Sequence, residues 1–109
     1  MFEVQRTAKF SAWLDALADT KARAAVVTRL GRLAFGNAGD VKPVGSGVSE
    51  MRIDVGPGYR AYYMRVGQQV FLMLGGGDKA SQSQDISRAL EIAEALRAPA
   101  KVEKRRKRK

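Results

Sequence analysis

The run from Gly47 to Lys79 constrains this chain most, because glycines at 47, 56, 58, 67 and 75–77 divide it into short stretches with the chemistry of β-strands. Met51, Ile53 and Val55 alternate with Glu50, Arg52 and Asp54, which at a period of two gives a strand one apolar and one charged face. Gly56-Pro57-Gly58 turns the chain, and Tyr59 to Val66 reads as the next strand. Gly67-Gln68 suits a two-residue hairpin of type II′, which wants glycine first. Gln69 to Leu74 is apolar on both faces, the pattern of a central strand covered by helices on one side and partly on the other. Gly75-Gly76-Gly77 is expected to turn the chain out of the sheet, so that basic and acidic side chains gather on one sheet face.

The flanks supply helices and two edge strands. Phe2 to Arg6 alternates apolar and polar residues and predicts a first strand at or near an edge. Thr7 can cap a helix in which Phe10, Trp13, Leu14 and Leu17 share one stripe, and a second helix from about Lys21 to Ala34 turns Val26, Leu30 and Leu33 inward. Phe35 to Asp40 ends that hairpin, and Val41 to Val44 is edge-like because Pro43 lacks an amide donor. Ser81 with Gln84 fits a capping box, after which Ile86, Leu90, Ala93 and Leu96 line the inner face of a last helix that stops before Pro99. The expected fold is therefore α+β, in the order β-α-α-β-β-β-β-α, with an antiparallel sheet. Residues 1–98 form one domain, and 99–109 form a basic tail that repels itself and stays extended.

Composition removes whole classes of chemistry. The 109 residues contain no cysteine and no histidine, which excludes disulfides, thiolate catalysis and the commonest transition-metal ligands, so no metal and no cofactor is expected. No apolar run approaches the roughly 20 residues that span a bilayer, and the N-terminus lacks a signal-peptide pattern, so a cytoplasmic protein is expected. Of the formal charge of +9, residues 101–109 supply +6, from seven Lys/Arg against Glu103. Such a tail suits contact with RNA, ribosome or DNA by counterion release, or serves only as a solubilising terminus.

Gly56-Pro57-Gly58-Tyr59-Arg60 and Gly76-Gly77-Asp78-Lys79, at this separation, resemble the RelE/ParE superfamily of type II toxin-antitoxin modules, most closely the HigB-like addiction-module killer proteins. The resemblance covers about residues 1–97. It implies a toxin acting as a ribosome-dependent messenger-RNA endonuclease, in which cationic side chains hold the strand while its own 2′-hydroxyl attacks the adjacent phosphate. It also implies a cognate antitoxin, a small helix-turn-helix protein, as partner. Arg60 occupies the Tyr-Arg position of the motif, and an arginine offers a planar fork to phosphate oxygens. Arg52 stands one strand earlier, and Lys79 follows the glycines where the family places a cation or polar group near the scissile phosphate. Glu50 is the candidate acceptor for the 2′-hydroxyl proton, although cationic neighbours would make it a weak base. Lys42, Tyr62 and the tail residues Lys104, Arg105 and Arg106 are candidate RNA contacts, Tyr62 by stacking or, alternatively, as core.

One departure is plain: where several RelE-type nucleases carry a tyrosine or histidine at the last helix, this chain has Asp85 and Ile86. Gly75-Gly76-Gly77 lacks the lysine and hydroxyl spacing of a phosphate loop, which excludes a nucleotide triphosphatase on that motif. Two further readings stand beside the nuclease: a ParE-like inhibitor of DNA gyrase that cleaves nothing, and a basic RNA-binding module that works through its tail.

Overall fold

A computed structural model describes residues 1–97. The chain runs β1 (Glu3–Arg6), α1 (Ala8–Ala16), α2 (Thr20–Ala34), β2 (Val41–Gly45), β3 (Val48–Ile53), β4 (Tyr59–Val66), β5 (Val70–Gly77) and α3 (Gln82–Arg97). The class is α+β, around a five-stranded sheet in the order β1-β5-β4-β3-β2. The strands β2 to β5 form an antiparallel meander, but β1 joins β5 in parallel, with Val4 opposite Phe71 and Arg6 opposite Met73. The sheet is thus mixed and not antiparallel throughout, because alternation in the sequence assigns the faces of a strand and not its direction.

Local chemistry explains the helices. The Thr7 side chain accepts from the Phe10 amide at 3.1 Å, and Asp19 accepts from the amides of Lys21 and Ala22, so both helices of the hairpin open on a capped turn. Phe10, Leu14, Val26, Leu30 and Leu33 are buried against Met51, Ile53, Ala61, Tyr63 and Met73 on one face of the sheet. Burial of each such large side chain stabilises the fold by about 2 kcal/mol relative to exposure.

Helix α3 lies on the opposite face, where Ala89 and Ala93 meet Val48, Tyr62, Met64 and Leu74. The second face of β5 is therefore covered by a helix, and the strand face bearing Glu50 is closed in the part that α3 overlies. Leu96, expected on the inner side of this helix, is 51% exposed because the apolar stripe runs through Ala89 and Ala93 and leaves the sheet before the last turn.

The glycines behave differently from their turn reading. Gly75, Gly76 and Gly77 continue β5, with Gly77 opposite Arg60, Gly76 opposite Ala61 and Gly75 opposite Tyr62. A methyl at Gly76 would overlap the Trp13 ring, and one at Gly77 would overlap the Asp85 carboxylate, so both glycines allow close side-chain approach to strand backbone. The β4–β5 connection takes three residues, 67–69, with Gly67 at φ +67°. Ser81 makes no capping box with Gln84; its hydroxyl bonds Asp85 and its amide donates to Asp78 Oδ1 at 3.1 Å. Among the described residues, no helix is long and apolar enough to cross a membrane.

Candidate functional site

The site begins at a cross-strand register. Antiparallel pairing places Arg52 directly opposite Arg60, and Glu50 directly opposite Tyr62 in the next row of the same face. Lys42 on β2 stands opposite Glu50, at the edge of that row, and is exposed. Two arginines in register repel one another, so something must hold them together. That group is Glu50, fully buried, whose Oε2 lies 3.5 Å from Arg60 Nε and whose Oε1 lies 3.7 Å from Arg52 Nε. Arg60 and Arg52 are 14% and 41% exposed in their side chains, which orders the three from interior to surface.

Two neutral donors complete the surroundings of the carboxylate. Tyr62 Oη donates to Glu50 Oε2 at 3.1 Å, and Gln82 Nε2, from the first residue of α3, donates to the same oxygen at 2.9 Å. Burial, and then the adjacent Glu50 charge, hold the Tyr62 phenol protonated well above its ordinary 10.0. The Tyr63 phenol, on the other face, is also pushed up by burial, opposed by a Ser49 hydrogen bond and by Arg29.

Backbone geometry sets the outer rim. Gly58, at φ +82°, accepts from Arg60 Nη1 through its carbonyl at 2.9 Å. A Cβ at Gly58 would lie 3.4 Å from Arg60 Nη1 and 3.8 Å from Lys79 Cβ, so Arg60 and the exposed Lys79 flank one backbone position. A groove beside Arg60 is lined by Arg52, Arg60, Tyr59, Gly58, Asp40 and Asp54. Tyr59 is braced from behind by Trp13, with ring centroids 6.5 Å apart. The groove brings Arg52 and Arg60 beside Asp40 and Asp54, and it can bind an anion at the arginines.

Of the residues singled out in the sequence, Arg52, Arg60 and Glu50 are brought together, Lys79 approaches Arg60 at Gly58, and Lys42 stands at the sheet edge opposite Glu50. Two roles are corrected. Glu50 has no exposed surface, so no bound hydroxyl can reach it to transfer a proton. Tyr62 is likewise fully buried under α3 and offers no face to a base. Lys104, Arg105 and Arg106 lie outside the described residues. Two participants were missed: Gln82 and Arg29. The Arg29 guanidinium, from α2, donates to the carbonyls of Arg52, Ala38 and Asp40 and ties the strand carrying Arg52 to the helical hairpin. Among the described residues, no group of three or more acidic, histidine or cysteine side chains is placed to hold a metal ion.

Fold and site together define a small α+β protein with a buried carboxylate under an arginine pair. The chain matches no family model. It belongs to the same family as an uncharacterized protein of Haemophilus influenzae, which is 40% identical over 94 residues, covering 86% of this chain and 95% of that protein.

Proposed function

We propose that this chain is a RelE/ParE-like toxin, of the HigB-like kind, that cuts messenger RNA on the ribosome and is neutralised by a helix-turn-helix antitoxin. The observation that carries the reading is the in-register pair Arg52 and Arg60, with Lys79 beside Arg60 at Gly58. Two arginines lining one groove, with a lysine near its Gly58 edge, suit a reaction whose transition state gathers negative charge on phosphate oxygens. The 2′-hydroxyl of the RNA gives up its proton to water as its oxygen bonds to the adjacent phosphorus, the bond from phosphorus to the 5′-oxygen breaks, and the leaving oxygen takes up a proton from water. A 2′,3′-cyclic phosphate and a 5′-hydroxyl end result. The protein contributes alignment and charge, which a chain without histidine can supply.

The test is to map messenger-RNA 5′ ends in cells after brief induction of wild type and Arg60→Ala. New ends within translated codons are expected with wild type only, and purified Arg60→Ala should cut ribosome-bound RNA about 100-fold more slowly, the usual cost of one charge-stabilising donor. Growth arrest without new ends would replace this reading by the second one, inhibition of DNA gyrase. That reading is favoured by one observation: Glu50, the carboxylate nearest the arginines, is out of reach of any substrate.

A further inference from the structure

Glu50 contacts the arginine pair in an unusual way. Each of its oxygens faces a different arginine, and both do so at Nε, a nitrogen near the base of the guanidinium. Oε2 takes hydrogen bonds from Tyr62 and Gln82, whereas Oε1 and the two Nε atoms are buried and have no hydrogen-bond partner. Among the described residues, no acceptor engages Arg60 Nη2 or either terminal nitrogen of Arg52. Arg60 Nη2 and both terminal nitrogens of Arg52 are thus left for an anion from outside, while Arg60 Nη1 holds the Gly58 carbonyl and the Nε side is turned to the carboxylate.

We infer that Glu50, steadied by Gln82 and Tyr62, is a positioning group that sets the Arg52 and Arg60 guanidinium planes as a preformed fork for the oxygens of one phosphodiester. The inference rests on the RNA-cleaving reading for its ligand, a phosphodiester of single-stranded RNA. A buried carboxylate with incomplete hydrogen bonding to its arginines is a poor stabiliser, which leaves orientation as what it contributes here. The alternative is a carboxylate that merely balances charge, and the two differ in sign. If balance were all, removing a negative charge beside an anion site would strengthen anion binding. If Glu50 sets the fork, its loss weakens binding, because the guanidinium groups must then be ordered by the ligand at an entropic cost.

Gln82 gives the cleaner variant, since it is partly exposed at the start of α3 and Gln82→Met removes the donor at nearly constant volume. In the full chain, arginine Nε–H signals are followed by 15N NMR, assigned with Arg52→Lys and Arg60→Lys, and a short single-stranded RNA carrying a 2′-O-methyl block at each position is titrated in. Wild type should show two slowly exchanging Nε–H signals. Gln82→Met should lose both together, keep its backbone amide spectrum, and bind the oligonucleotide about tenfold more weakly, the usual worth of a hydrogen bond to a charged group. Glu50→Gln should also weaken binding.

Persistence of both signals in Gln82→Met, or tighter binding by Glu50→Gln, overturns the positioning role, and absence of binding by wild type overturns the phosphodiester ligand. If the signals respond as expected while induced cells show no new messenger-RNA ends, the positioning role stands and the nuclease reading falls.

Discussion

A carboxylate without exposed surface persists only where charges and donors surround it, and Glu50 has two arginines, a phenol and an amide around it. The phenol has its own consequence for stability. Tyr62 and Tyr63 are both held protonated in the folded chain beyond their ordinary 10.0, chiefly by burial. An unfolded chain ionises these phenols near 10.0, so above that pH the unfolded state binds fewer protons than the native one and stability falls as pH rises. Below 10.0 the two states are equally protonated at these sites and the contribution is fully present. Thermal melts should therefore show Tm declining above pH 10, and Tyr62→Phe should decline less steeply. An alkaline titration in which tyrosinate absorbance rises equally early in folded and urea-unfolded chain would contradict the buried placement of both rings.

Elements were legible where a period was strong. The apolar alternation at Met51 and Ile53 and the helical stripe at Phe10, Leu14 and Leu17 all face the core that the hairpin covers. What the period could not reveal is what covers the other face. Glu50 and Arg52 share a face, as alternation requires, yet part of that face lies under α3, which carried Glu50 from an expected surface position into the interior. The direction of β1 and the true end of β5 were hidden for the same reason: both depend on partners distant in sequence. Gly75-Gly76-Gly77 reads locally as a turn, and only the approach of Trp13 and Asp85 shows why a strand needs glycine there. This separates two neighbouring glycines experimentally. Gly76→Ala should destabilise by about 2 kcal/mol through overlap with Trp13, whereas Gly75→Ala, with nothing within 4 Å of the added carbon, should be close to neutral. Urea unfolding of the two variants measures the difference, and equal midpoints would refute the close packing of α1 on β5.

The molecule as a whole divides its charge unevenly, and this division discriminates between a site in the fold and a site in the tail. Residues 101–109 hold seven of the 20 Lys/Arg, whereas the groove sets Arg52 and Arg60 beside Asp40 and Asp54, with Lys79 near Gly58. Contacts between cations and phosphates release counterions, so each contact to single-stranded RNA adds about 0.7 to the slope of log affinity against log salt. Deleting residues 101–109 should flatten that slope by several such increments and weaken binding at low salt, yet leave the rate of cleavage of ribosome-bound RNA within about threefold, since tail contacts are equal in ground and transition states. Arg60→Ala should do the reverse, changing the slope by less than one unit while removing most of the cleavage. Salt-dependent RNA binding and single-turnover cleavage, measured on both variants, read the two effects separately. If the deletion abolishes activity and Arg60→Ala retains it, the folded domain is a carrier for a basic RNA-binding segment, and the arginine pair over Glu50 is a structural cross-strand network.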